Sequence, residues 1–327
     1  MEQQYFIGVD VGSASVRAAV FDSFGKRLGF SVRPIAQFRP KTDFVEQSSA
    51  DIWQQVCTTV KESVKLSAID PLHVKSIGFD ATCSLVAVGK EGQALSVSPS
   101  NKPEQDIIMW MDHRAVQETV TINLTNDPVL RYVGGEVSIE MELPKILWLK
   151  NHYPERYKHV WRFFDLADFL VWKATTADVA SICTLTCKWN YLAHQGHFSE
   201  SLLADVGLDE LLEKVPQTIL ALGESAGCLT TSVAEAFGLH TGVIVASGII
   251  DAHAGGLALT ASQPEGSLAI ISGTSNCHMI VSQYPIMVPG VWGPYFGAML
   301  PELWLNEGGQ SAAGALVEWS IRRHESW

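Results

Sequence analysis

The sequence predicts a mixed α/β protein with at least one antiparallel portion. Three observations carry that prediction. The chain opens on short apolar segments separated by turn residues, between Phe6 and Arg33. Longer segments with apolar residues at helical spacing follow, and a second strand–turn–strand unit, LAIISGTSNCHMIVS, occupies 268–282. At 327 residues, with 47% hydrophobic and 18% charged, the chain has a globular composition and the length for two domains or one large one.

The opening meander has strands near 5–10, 15–22 and 27–33, divided by the Gly12 turn and by SFGK at 23–26. In SSADIWQQVCTTVKESVKL, Ser49 is the expected N-cap and Asp51 favours the positive helix end. Trp53, Val56, Cys57, Val60 and Val64 then recur at helical spacing. After Pro71, VKSIGFDATCSLVAVG holds two strands around a turn containing Asp80. SVSPSNKPEQ (96–105) is a polar surface loop, and DIIMW is a strand leading to a helix that begins near His113. The stretch 143–240 reads as mainly helical. A strand returns at TGVIVASGII (241–250), and a helix starts at about Ala252.

The net charge of −12 argues against a nucleic-acid surface or an anionic membrane, since both select basic patches. A phosphorylated ligand must then be held by local donors: backbone N–H groups, an Arg or a metal ion. The six Cys are scattered and mostly inside apolar runs, as buried free thiols of a reducing compartment would be. Cys183 and Cys187 are spaced C-x3-C, with His194 and His197 nearby. Zinc sites usually show two tight pairs, so this stretch is read as thiols rather than ligands. MEQQYFIG lacks the basic start and apolar core of a signal peptide. No run approaches the roughly 20 apolar residues needed to span a bilayer. The expectation is a soluble, cytoplasmic chain.

The first hairpin turn, Gly12 to Ser15, should expose consecutive backbone N–H groups and the hydroxyls of Ser13 and Ser15, with Ala14 keeping the approach open. Such a turn makes an anion-binding concavity. Asp10 beside it would repel phosphate unless a cation intervened, so Asp10 is a candidate for direct or indirect support of Mg2+. The same residues would also make a plain tight turn with Asp10 capping its own backbone. The second hairpin repeats the design, with Gly273-Thr274-Ser275 between apolar strands. Two phosphate-sized turns suggest duplicated halves facing one cleft, unless generic hairpins are alike by chance. No GxxxxGK[ST] occurs and no GxGxxG follows a strand, so the P-loop and dinucleotide fingerprints are absent.

In GIIDAHAGGLA (248–258), Asp251 lies where a buried strand gives way to a helix, at the sheet rim where ligands of α/β proteins gather. An Asp there can accept the proton of a hydroxyl attacking a γ-phosphate, a transfer in which positioning counts for more than base strength. A helix N-cap is the other reading of this segment. Asp80-Ala81-Thr82 and Trp110-Met111-Asp112-His113-Arg114 also follow apolar strands. Both mix acceptors, donors and an aromatic face, as polyol recognition needs; capping a turn and starting a helix are the alternatives.

Together, IGVDVGSASVRAAVFD, GFDATCSLVAV, IIMWMDHRAV, SGIIDAHAGG, ISGTSNCHMIVS and NEGGQSAAGALVEW closely resemble the FGGY family of carbohydrate kinases, in family order and across essentially the whole chain. That family lies within the sugar kinase, chaperone and actin superfamily. GFDATCS, MWMDHRA and DAHAGG resemble its D-ribulose kinase subgroup. The resemblance implies an actin-like, ribonuclease H-like fold around a deep cleft. A sugar-binding domain would span 1–262, and 267–327 would begin an ATP-binding domain. It implies ATP- and Mg2+-dependent phosphorylation of a ketopentose, D-ribulose to D-ribulose 5-phosphate, with no nucleic-acid or membrane partner.

By motif position, the resemblance makes Asp251 the catalytic base. Asp80, Thr82, Trp110, Asp112, Arg114 and His253 would meet the sugar. Gly12, Ser13, Ala14 and Ser15, with Gly273, Thr274 and Ser275, would hold phosphate, and Asp10 would serve Mg2+. Family members continue through a complete second domain, whereas the sequence stops at Trp327. Its last segment, QSAAGALVEWSIRRHESW, carries an apolar stripe of Ala312, Ala315, Leu316 and Trp319 that expects a covering sheet. A sugar-binding fragment without catalysis is therefore the alternative expectation.

Overall fold

The computed structural model describes residues 3–273 and 275–324. Its organising element is a seven-stranded sheet in the order Ser225–Cys228, Ile244–Ala246, Val74–Ala81, Tyr5–Val11, Ser15–Asp22, Arg27–Pro34. The short strand Ile249–Ile250 completes it by pairing with the carboxyl end of Val74–Ala81. Tyr5, Ile7, Val9 and Val11 alternate inward, and the first three strands form the expected antiparallel meander. Tyr5–Val11 and Val74–Ala81 run parallel, as do Ile244–Ala246 and Ile249–Ile250 beside them.

Helix Ser49–Ser67 covers this sheet with Ile52, Val56, Val60 and Val64, one residue per turn on a single face. Its N-cap is Ser48, one position before the expected Ser49. Ser48 Oγ accepts the Asp51 N–H at 3.2 Å, while the Ser49 amide and hydroxyl both donate to Asp106. The helix passes so close to Arg27–Pro34 that a Cβ at Gly29 would collide with the Ser63 carbonyl.

The two strands of VKSIGFDATCSLVAVG do not pair with each other. Leu85–Gly89 joins a separate four-stranded sheet, in the order Glu46–Gln47, Ile107–Ile108, Leu85–Gly89, Val160–Asp165. All five of its residues are buried, because Leu85 and Ala87 enter one apolar core and Val86 and Val88 the other. The region 143–240 contains helices at Glu142–His152, Leu166–Thr175, Ile182–Lys188 and Thr231–Phe237, but strands interrupt it at Val160–Asp165, Val179–Ser181, Thr218–Leu220 and Ser225–Cys228. An apolar run such as VWRFFD carries no periodicity that separates a buried strand from a buried helix. The helix expected near His113 starts at Val116, since Asp112 and Arg114 are committed to a buried ion cluster.

The last part of the chain is a four-stranded antiparallel sheet in the order Leu268–Ser272, Asn276–Ser282, Trp304–Gln310, Trp292–Phe296. Ala269, Met279, Tyr295 and Leu305 from this sheet share one apolar core with Leu85, Ile108 and Phe163. Helix Asp251–Thr260 is held against it through Gly255 and Gly256. A Cβ at Gly256 would lie 2.6 Å from Met299 Sδ, and one at Gly255 would lie 2.9 Å from Ile271 Cδ1. In helix Gly314–Arg322, Leu316 and Trp319 are 48% and 53% exposed, Ala312 is exposed, and the side chain of Ala315 lies outside the described residues. Among the described residues no helix is long and apolar enough to cross a membrane.

Gly134 joins the two parts of the chain: its carbonyl accepts the Gly290 N–H at 2.8 Å. It adopts φ +79°, and a Cβ there would stand 2.6 Å from the Val291 carbonyl oxygen. Gly135 has φ +105° but open space around it. Gly134→Ala should therefore lower unfolding free energy by about 1–3 kcal/mol more than Gly135→Ala, which adds only backbone strain. Paired urea denaturation curves check this; equal losses would show that the apposition tolerates a side chain.

Candidate active site

The parallel register of the main sheet builds the site. Asp10 stands opposite Asp80, each one residue from the end of its strand. Ile249 stands opposite Asp80 on the other side, so the chain leaves the sheet at Ile250 and starts the next helix with Asp251. Three carboxylates thus meet at the carboxyl ends of three neighbouring parallel strands, the edge at which α/β sheets bind ligands. They line a cleft of about 660 Å³ whose opposite wall comes from the last sheet, including Ile271, Gly273, Asn276, Glu307 and Gln310.

Three acids in one cleft repel each other, and the protein offsets this locally. Arg17, opposite Asp10 in the hairpin, donates from Nη1 to Asp10 Oδ2 at 2.6 Å. Burial, then the charges of Asp10 and Asp251, push Asp80 up to about 9. Asp251 is pushed up to about 6, chiefly by burial, while the N–H of Ala252 bonds its Oδ1 at 2.8 Å and pulls the other way. At neutral pH Asp80 therefore keeps its proton and Asp251 is mostly ionised.

The two glycine turns share one closure. The Gly12 N–H donates to the Ser15 carbonyl at 3.0 Å, and the Gly273 N–H donates to the Ser275 carbonyl at 2.8 Å. Gly12 consequently spends its amide inside the turn, contrary to the expectation that it faces a ligand. The amides of Ser13 and Ala14 have no hydrogen-bond partner among the described residues. Ser13 is fixed from three directions. Trp110 Nε1 donates to its Oγ at 2.9 Å, and Gln37 Nε2 and Gln47 Nε2 donate to its carbonyl at 2.7 and 3.0 Å. Gly12, Ser13, Ala14, Gly273 and Ser275 line the cleft, Ser15 does not, and Thr274 lies outside the described residues.

Of the polar islands, Asp80, Thr82 and Trp110 line the cleft. Thr82 bonds Ser84 Oγ at 3.2 Å, and the same Ser84 hydroxyl accepts the Trp110 N–H at 3.2 Å, which locks the two walls together. Asp112 and Arg114 do not line the cleft. Arg114 donates to Asp112 at 2.7 and 2.8 Å, to Glu46 at 2.8 Å and to the Val97 carbonyl at 2.9 Å, and its guanidinium covers the ring of Phe44. Both side chains are fully buried and satisfy each other, so they brace the Trp110 segment from behind. His253 is also fully buried, with Nε2 3.3 Å from Cys187 Sγ and 3.6 Å from Glu307 Oε2. Burial lowers its pKa to about 4 and keeps the ring neutral.

Several cleft residues carry no signal of their own in the sequence. Lys188 ends helix Ile182–Lys188, and its ammonium lies 4.8 Å from the ring centroid of Trp292. Burial works against that charge, but Cys83, Glu307, Tyr295 and Cys187 around it hold its pKa above the usual lysine range. Glu307 faces it from the last sheet, and Glu140 accepts from Ser311 Oγ at 3.4 Å across the cleft. Lys188 sits in an apolar helical run that reads as core, and Arg17 reads as an outward strand position.

Comparison with known proteins agrees with this architecture. The model of the FGGY family of carbohydrate kinases, N-terminal domain, matches residues 5–258, and that of the C-terminal domain matches 268–327. An FGGY carbohydrate kinase domain-containing protein of Xenopus laevis is 45% identical over 99% of this chain, and its Homo sapiens counterpart is 43% identical over 99%. A D-ribulokinase of Saccharomyces cerevisiae is 39% identical over 100% of this chain. The chain spans 62% of the length of the first two and 51% of the third. Among solved structures, a xylulose kinase from Rhodospirillum rubrum superposes with a TM-score of 0.84 at 19% identity, covering 97% of this chain and 62% of that one. Plasmodium falciparum glycerol kinase with ADP gives 0.79 at 15% identity, covering 98% and 63%. The fold is that of the actin-like sugar kinases, and the chain belongs to the FGGY family of carbohydrate kinases.

Proposed function

We propose that this chain acts in the ATP-dependent phosphorylation of a ketopentose, with D-ribulose as substrate and D-ribulose 5-phosphate as product. The observation that carries this reading is the position of Asp251, half-buried in one cleft with Asp80, Thr82 and Trp110 and with Ser13, Ala14 and Ser275 of the two glycine turns. The D-ribulokinase of Saccharomyces cerevisiae and a ribulokinase of Geobacillus thermodenitrificans, 29% identical, support the choice of ketopentose. The family matches on either side of residue 262 support a sugar-binding part before it and a nucleotide-facing part after it.

In this reading Asp80, Thr82, Trp110 and the Lys188 side chain orient the sugar. The carboxylate of Asp251 accepts the proton of the attacking hydroxyl as its oxygen bonds to the γ-phosphorus and ADP leaves. The free amides of Ser13 and Ala14 and the hydroxyls of Ser13 and Ser275 receive phosphate oxygens, while Gly273, like Gly12, closes its turn. The site suits Mg2+, because Asp10, half-buried at the cleft, presents hard oxygen donors there. Asp10 would hold the ion, which would neutralise phosphate charge when bound. Arg17 is placed beside Asp10 to share that task.

The direct test is ADP release from D-ribulose, ATP and Mg2+. Turnover of D-ribulose above that of other pentuloses and of pentitols is expected; sugar binding without ADP release contradicts the reading. Asp251→Asn should lower kcat by about 10²–10⁴-fold with little change in sugar affinity, the range for loss of a proton acceptor. Unchanged kcat would remove Asp251 from the mechanism. The acid limb of kcat/KM supplies a third check. Protonation disables an acceptor, so the rate should fall about tenfold per pH unit below about 6 and level off above it. A profile flat down to pH 4.5 would contradict the assignment.

A further inference from the structure

We infer that Cys183, Cys187, His253 and Glu307 form a buried site for a thiophilic divalent cation, with zinc the ion the donors suit best. Cys183 and Cys187 lie one turn apart on helix Ile182–Lys188, and His253 is the third residue of helix Asp251–Thr260. Their ligand atoms all lie within 4.8 Å of one another, and all three residues are buried. Cys187 Sγ is 3.3 Å from His253 Nε2, and Glu307 Oε2 is 3.6 Å from the same nitrogen. With Zn–S near 2.3 Å and Zn–N or Zn–O near 2.0–2.2 Å, ligand atoms around a tetrahedral ion stand roughly 3.3–3.8 Å apart. Two of the separations already have that size.

A second observation points the same way. Glu307 is 3% exposed, and its Oε2 is buried without a hydrogen-bond partner, an arrangement that costs stability unless something binds there. A cation would be that partner and would make the fourth ligand. Binding exchanges two thiol protons, released to solvent, for two Zn–S bonds. His253 Nδ1 lacks a partner in either state and so does not distinguish them. His194 and His197, the neighbours suggested by the sequence, take no part; His194 instead bonds Tyr132 at 3.1 Å. This site differs from that of Asp10 in donor class, sulfur and imidazole against hard oxygen. The ion would tie two helices and strand Trp304–Gln310 together directly behind the cleft.

The test uses the chain after chelator treatment and needs neither sugar nor ATP, so its failure is separable from failure of the kinase assignment. Co2+ at one equivalent should give the sulfur-to-metal absorption and strong visible bands of a tetrahedral thiolate site, and Zn2+ should displace it and raise Tm. Cys187→Ser and His253→Gln, checked for folding by circular dichroism, should each weaken Zn2+ binding by about 100-fold or more, beyond the 10–100-fold typical of an outer partner. Cys228→Ser, at an exposed position, should leave binding unchanged. Absence of the sulfur-to-metal band and of any Zn2+ effect on Tm in the unaltered chain would overturn the inference.

Discussion

The shared register of Tyr5–Val11, Val74–Ala81 and Ile249–Ile250 is the constraint on which the site depends. Parallel strands end at one edge, so residues near their carboxyl ends gather without any loop having to bring them there. Asp10, Asp80 and Asp251 occupy those positions. A slip of one residue in either pairing would turn one carboxylate to the other face of the sheet. The buried alternation of Ile7, Val9 and Val11 against Ile77, Phe79 and Ala81 opposes that slip, since it would expose the core face of a strand.

Gathering three acids has a cost that the surrounding structure meets with specific groups. Arg17 lies across the hairpin from Asp10, Lys188 enters from below, and one proton stays on Asp80. The Ser13 turn is held by Trp110, Gln37 and Gln47, which come from separate segments. Behind Trp110 the buried Arg114–Asp112–Glu46 cluster prevents that segment from relaxing away from the cleft. Removing one member of such a cluster leaves an uncompensated buried charge, so its value lies in geometry rather than in net stability.

The parts of the site legible in the sequence are those in which a polar residue interrupts an apolar strand. Asp10, Asp80 and Asp251 each do so, and each lines the cleft. Asp112 and Arg114 looked the same in one dimension, because sequence does not reveal whether two opposite charges face a ligand or each other. His253 follows Asp251 by two residues on a helix, so it points about 200° around the axis, away from the cleft and into the core. Lys188 was invisible for the opposite reason: its helix, ICTLTCK, is buried almost throughout, and a charge there reads as an end residue. In the fold, the meander and the closing hairpin were plain from turn residues. The strand Val160–Asp165 was hidden because a strand buried on both faces loses its alternation.

Asp80 and Asp251 share one electrostatic site with Asp10 and therefore titrate apart. Carbon-13 NMR of aspartate-labelled protein, with Asp10→Asn, Asp80→Asn and Asp251→Asn for assignment, measures this directly. One carboxyl should remain protonated through neutral pH and titrate near 9, a second should titrate near 6, and the higher value should fall in Asp10→Asn. Asp80 and Asp251 titrating together near pH 4 would show that the three carboxylates do not share one site.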